Sequence, residues 1–193
     1  MNATGTSPTL LDALLDRHSI GQRYLIEPGP SDDELLTLTQ AAMRAPDHAA
    51  LVPFRFRAVR AEARARMASL FEQAALAAGK DAESAALDRE RASTAPVTVA
   101  VIARVDLGHP QVPAHEQWAC LGGAIAHFLL AAQALGYGAK MLSGAKARSP
   151  LLVSAFCEPG ETLVGWIALG TPQLDRRAKH IKPPADEVLT FWS

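Results

Sequence analysis

Cysteine is nearly absent from the chain: two in 193 residues, Cys120 and Cys157. They form no CxxC pair and no ladder, which excludes a disulfide-stapled fold and a cysteine zinc centre. Reduced core thiols in a cytoplasmic protein are the expected reading. Neither sign of charge dominates, since 19 basic and 20 acidic residues leave a formal net charge of −1. That balance offers no electrostatic footprint for nucleic acid or an acidic membrane. A long uninterrupted apolar run is also missing. The longest, Ala119 to Leu135, is broken by His127 and Gln133 and reads as a buried helix rather than a membrane span. The opening residues carry neither the basic start nor the apolar core of a secretory signal. Also lacking are a GxGxxG turn, a Walker phosphate loop, a GxSxG elbow and any repeat, low-complexity segment or linker. What is present is an ordinary globular composition, 49% hydrophobic and 20% charged, and a single domain over 1–193 is expected.

Local patterns supply the elements. Ser7-Pro8 offers a cap and a first-turn proline for a helix through Leu10, Leu11, Leu14 and Leu15. Ile20 to Pro30 reads as irregular. Ser31-Asp32-Asp33-Glu34 is a capping box opening a helix that carries Arg44 on its last turn. Phe54 to Val59 alternates as a strand with one wet face. Ala61–Ala78 and Ala82–Ser93 predict two charged helices forming a surface excursion with solvated faces. Val97–Ala103 and Leu163–Leu169 are β-branched or apolar runs suited to strands buried on both faces. Between them lie the apolar helix Gln117–Leu135, a short strand over Tyr137–Leu142 and a helix from Ser149-Pro150 to Phe156. Ala119, Gly122, Gly123 and Ala126 stripe the apolar helix with small residues. Helical glycines cost about 1 kcal/mol each against alanine, so close approach is expected there, either to a neighbouring element or across a subunit interface. The tail, with Arg176, Arg177, Lys179 and Phe191-Trp192, predicts docking on another surface or subunit.

Two places carry candidate chemistry. At Met43-Arg44-Ala45-Pro46-Asp47-His48, Pro46 stops the helix and holds a guanidinium and an imidazole at a rigid corner. Arg17 and Ser19, two residues apart at a helix end, suit a terminal phosphate. A helix-end dipole partner and a plain loop histidine are the alternatives. His109 and His115 fit no zinc spacing, and no metal site is expected.

Those blocks are similar to the flavin-dependent nitroreductase family. Leu14-Leu15-Asp16-Arg17-His18-Ser19 resembles its amino-terminal signature, and Met43 to His48 followed by Pro53-Phe54-Arg55-Phe56 resembles a second block. Gly136-Tyr137-Gly138 with Ser143-Gly144-Ala145, and Leu169 to Leu174, continue the likeness in order. The resemblance implies an α+β homodimer with a central, mostly antiparallel sheet wrapped by helices. It implies FMN at the interlocked subunit interface and NADH or NADPH as electron donor to a small-molecule acceptor such as a nitro compound or quinone. Carried over, Arg17, His18 and Ser19 grip FMN, chiefly at its phosphate. Arg44 and His48 reach it from the partner subunit, and Met141, Leu142 and Ser143 contact the flavin. Ala131, Ala132, Gln133, Ala134, Leu135 and Gly136 align with a nicotinamide-binding segment, although they read equally well as the end of a buried helix. No side chain is assigned an acid–base role, because protons can come from water.

The departures are specific. His18 replaces an arginine, Val52-Pro53-Phe54 replaces Gln-Pro-Trp, and Met141-Leu142 stands where relatives carry Trp-Arg. Lys140 or Lys146 is the candidate substitute for the lost cation, and Arg177 is a further phosphate candidate. A divergent reaction, or flavin binding with little turnover, is the alternative function.

Overall fold

A computed structural model describes residues 9–173 and 182–192. The elements are α1 (Leu10–Asp16), β1 (Leu25–Ile26), α2 (Asp32–Ala42), β2 (Phe54–Val59), α3 (Glu62–Ala77), α4 (Ala82–Ser93), β3 (Val97–Ala103), α5 (Ala114–Ala134), β4 (Gly138–Leu142), α6 (Pro150–Phe156) and β5 (Thr162–Pro172). The architecture is α+β. β5 is the spine of the sheet: β3 pairs with it from Val97↔Leu169 to Ala103↔Thr162, and β4 and β1 pair with it as well. β2 closes the far side by pairing with β3. Every strand pair among the described residues is antiparallel.

Both faces are covered, which is why β3 is buried at every position. Val97, Val99 and Val101 pack with Leu38 of α2 and Leu121 and Phe128 of α5. Ala100 and Ile102 point the other way, into a cluster with Met67 of α3, Phe156 of α6 and Trp166. Burying each such large side chain contributes about 1.5–3 kcal/mol. No helix of the described residues is long and apolar enough to cross a membrane.

Several local expectations are corrected. Thr9 caps α1, its hydroxyl and the Asp12 carboxylate forming the capping box; Ser7 and Pro8 lie outside the described residues. Leu10, Leu11, Leu14 and Leu15 are all exposed, from 51% at Leu14 to 78% at Leu15, so this helix has no core face among the described residues. The irregular stretch contains β1, too short to show an alternation. α2 stops at Ala42, two residues before Arg44, and tightens into i→i+3 bonds: Arg44 N–H donates to Ala41 O and Ala45 N–H to Ala42 O, each at 3.1 Å. β2 has no simple wet face, because Val59 is buried and Arg55 is covered by Glu161.

Two close approaches position the functional residues. Gly165, at φ +153°, faces the end of β4 so closely that a Cβ would lie 2.2 Å from Leu142 O. Glycine is needed there, and it lets Met141–Ser143 cross over β5, where Ser143 Oγ donates to Val164 O at 2.6 Å. On α5, a Cβ on Gly123 would meet Ala45 Cβ at 3.2 Å, so the Pro46 corner rests directly on that helix. Gly122 has nothing within 4 Å of its virtual Cβ. The small-residue stripe therefore serves an internal contact on one side and is open on the other.

Candidate functional site

The outgoing end of β4 sets the site. By strand alternation Lys140 and Leu142 face one side of the sheet while Ala139 and Met141 face the other. Ala139 and Met141 join the α2/α5 core. Lys140 and Leu142 instead line an outer cleft of about 750 Å³ with Ser19, Arg23 and Arg91. That volume falls in the range of ligand sites, roughly 300–1,000 Å³. Ile20 N–H donates to Ala139 O at 3.1 Å, which ties the Arg17–Ser19 segment to β4.

Gln22, Arg91 and Leu142 also wall an inner cavity of about 200 Å³, so the two spaces adjoin. Asp88 lies on its wall, its side chain 4% exposed, with Lys80 Nζ at 2.8 Å from Oδ2 and Lys146 Nζ at 2.7 Å from Oδ1. Burial raises the Asp88 carboxyl, but the two ammonium groups outweigh it and hold the group below its ordinary value. Trp166 lines the same cavity, and its buried indole N–H has no hydrogen-bond partner among the described residues. With both Asp88 oxygens engaged and Ser143 Oγ turned to Val164 O, the wall presents donors in need of an acceptor. Cations, an orphan donor and apolar Leu142, Met67 and Phe71 suit a planar, oxygen-bearing ring with an anionic tail. FMN has that chemistry, so the residues present fit it.

The predicted residues fall into separate places. Ser19, Leu142 and Ser143 border the two adjoining spaces. Arg17 caps α1 in extended geometry and, with His18, Gln133 and Gly136, borders a recess of about 330 Å³. His18 Nδ1 lies 3.0 Å from Asp16 O. Ala132 is fully buried, Ala131 packs against the same core, and Gly136 at φ +85° ends α5, where Tyr137 N–H donates to Ala132 O at 2.9 Å. Gln133 Nε2 donates to Ala13 O at 3.4 Å and Leu135 is 44% exposed. Arg44 and His48 border neither the outer cleft nor the inner cavity. His48 Nδ1 is 2.8 Å from Glu116 Oε2 in the first turn of α5. Beyond it Ala49, Ala50 and Val52 hold φ of 60°, 53° and 47°, and Asp47 Oδ2 accepts Val52 N–H at 2.8 Å. Backbone held in this sparsely populated region is tolerated only where its surroundings over-determine it. Beneath the corner, burial and then the Asp47 carboxylate push the Cys120 thiol up to about 11, an inert core group. Arg176, Arg177 and Lys179 lie outside the described residues.

The nitroreductase family model matches residues 14–171. The chain belongs to the nitroreductase family. This family member is 34% identical over 183 residues to "Putative NAD(P)H nitroreductase YdjA" of Escherichia coli strain K12, which spans 94% of this chain and 98% of the relative. Its fold is similar to a nitroreductase-like family protein from Bacillus cereus, with TM-score 0.83 and 20% identity, covering 98% of this chain and 99% of that one. A nitroreductase from Desulfovibrio desulfuricans in complex with FMN is similar at TM-score 0.73 and 22% identity, covering 97% and 99%.

Sequence reading missed Gln22, Arg91, Asp88 and Trp166, and treated α3 and α4 as solvated surface. The structure corrects this: α4 turns Ala85, Asp88 and Ala92 toward the sheet. Their i, i+3, i+7 spacing was a usable signal, since it sets a carboxylate on the apolar stripe of its helix.

Proposed function

We propose that the protein is an FMN-dependent NAD(P)H oxidoreductase that passes two electrons to a nitro compound, quinone or related electron-poor acceptor. The observation that carries this reading is the outer cleft and the adjoining cavity, bordered by Ser19 and by Leu142–Ser143, where the buried Trp166 N–H has no partner among the described residues. Bound FMN would supply the redox chemistry, taking a hydride equivalent from the nicotinamide and giving two electrons to the acceptor. Arg17, His18 and Ser19 hold the phosphate end by charge-assisted hydrogen bonds. Leu142 supplies an apolar wall, and Ser143, fastened to Val164 O, presents its backbone at a fixed position. Ala131–Gly136 is the proposed nicotinamide segment, in which Gln133 and Gly136 are the members on the recess beside Arg17.

The working unit in this reading is a homodimer. Arg44 and His48 serve the site of the partner subunit, which explains why one chain keeps them apart from its own cleft. The apolar face of α1, exposed among the described residues, and Trp118 (41% exposed) beside Ala119 and Gly122 on α5, provide the surface for it. Mixing subunits tests this directly. Arg17→Ala and His48→Ala homodimers each lose tight FMN binding, while refolded heterodimers regain one intact site of two. No recovery on mixing places all the ligands in one chain.

A further inference from the structure

Three polar or charged side chains are buried among the described residues: Asp88, Thr98 and Gln117. Gln117 is committed to structure, its amide bonded to both backbone groups of Asp106 and to Val112 O. Asp88 and Thr98 instead share the wall of the inner cavity with Trp166, which is 3% exposed. The Trp166 indole N–H has no hydrogen-bond partner among the described residues, and a buried donor left unbonded is costly.

Size narrows what can enter. The inner cavity holds about 200 Å³, below the roughly 300–1,000 Å³ of drug and cofactor sites. About 150 Å³ is enough for one benzene ring, so a single substituted ring fits and a fused ring system does not. Met67, Phe71 and Leu142 give that ring apolar walls, with Phe71 edge-on to Trp166 at 4.8 Å. Charge narrows the choice further. Lys80 and Lys146 hold the two Asp88 oxygens at 2.8 Å and 2.7 Å, which offsets the repulsion of an anion by that carboxylate. Arginine–carboxylate pairs among the described residues use Arg55, Arg60, Arg64, Arg89 and Arg104, and leave Arg91 without one. Arg91 borders both the inner cavity and the outer cleft, and its planar fork suits a carboxylate.

We propose that the inner cavity is a binding site for a single-ring aromatic carboxylate carrying an oxygen substituent. The ring lies among Met67, Phe71 and Leu142, and the oxygen substituent accepts the Trp166 N–H. The carboxylate meets Arg91 where the cavity adjoins the outer cleft. This site is separate from the flavin seat proposed above, and it stands whether or not FMN fills the outer cleft.

The test is calorimetric titration of the purified protein, with and without FMN, using para-hydroxybenzoate as the probe. The indole N–H resonance of Trp166 is followed by NMR beside it. The probe binds both forms with similar affinity and shifts that resonance. Benzoate binds about fivefold more weakly, because the Trp166 N–H stays unpaired. Naphthoate, with a second fused ring, binds at least about tenfold more weakly. Trp166→Phe removes the advantage of para-hydroxybenzoate over benzoate and leaves benzoate binding in place, a selective loss that misfolding would not produce. Arg91→Met weakens both single-ring carboxylates at least about tenfold and leaves para-cresol unaltered. Absence of probe binding, displacement of the probe by FMN, or equal binding of naphthoate overturns the proposal. So does a Trp166 resonance that ignores the probe. None of those outcomes touches the flavin reading, whereas a protein that binds the probe and takes up no FMN overturns that reading alone.

Discussion

Glu161 and Asp88 are two carboxylates of similar burial, their side chains 9% and 4% exposed, each beside two cations. Glu161 meets the fork of Arg55, with Nε at 2.7 Å and an Nη at 2.5 Å. It also accepts the Glu158 N–H at 2.7 Å and has Arg104 at 3.7 Å. Arg55 uses its remaining reach on Phe156 O at 3.0 Å. The cluster ties β2, α6 and the start of β5 together, and its donors and acceptors are matched. Asp88 instead meets two point-like ammonium groups on flexible stems and faces a cavity where the Trp166 N–H has no acceptor. The same charge chemistry thus serves cohesion at one place and leaves unsatisfied donors at the other. Arginine's planar fork suits the first use and lysine's compact head the second.

The comparison breaks most visibly through stability. Glu161→Ala leaves a largely covered guanidinium without its partner and lowers unfolding stability by about 3–5 kcal/mol. Asp88→Ala costs less in the same denaturant titration, because Lys80 and Lys146 are 46% and 32% exposed and can turn to water. Equal losses would remove the distinction. Acid unfolding is the next largest effect. Hydrogen bonding from Arg55 holds the Glu161 carboxyl down at about 2, against an ordinary 4.5. The stability this supplies, about 3 kcal/mol, is complete above pH 4.5 and is lost as pH falls toward 2. Glu161→Gln flattens that limb of a pH-dependent melting series.

At the cleft, effects move from stability to affinity. Arg17→Ala, at an exposed helix end, leaves the melting temperature unchanged while weakening FMN binding by about 1.5–3 kcal/mol in a fluorescence titration. Unaltered affinity would remove Arg17 from the phosphate end. The smallest effect on the protein without cofactor is Trp166→Phe. Its indole N–H has no partner to lose, so unfolding stability shifts by less than about 1 kcal/mol. A larger loss would show that the N–H is already satisfied.

Much of this was legible in the residues. The Ser31–Glu34 capping box, the Pro46 corner, the extent of β2 and the β-branched run of β3 are local signals, and each has a local physical cause. The antiparallel sheet and family membership followed from ordered blocks spread along the chain. What escaped was non-local. Two residues of β1 are defined only by their pairing with Thr171 and Pro172. The exposed leucines of α1 repeat at helical spacing whether the surface they meet is in the same chain or another. Asp88 looked like one more charge on a charged helix, and Trp166 one more apolar strand residue. Only the fold brings them to one cavity beside Leu142 and Lys146, from positions far apart in the chain.

The most direct test of the oxidoreductase reading is anaerobic addition of NADH, and separately NADPH, to the purified, FMN-supplemented protein, followed by its visible absorbance. The account predicts a yellow protein whose flavin bands bleach with at least one nicotinamide and return on adding an electron-poor acceptor. A protein that binds no FMN, or binds it and is bleached by neither nicotinamide, would contradict it.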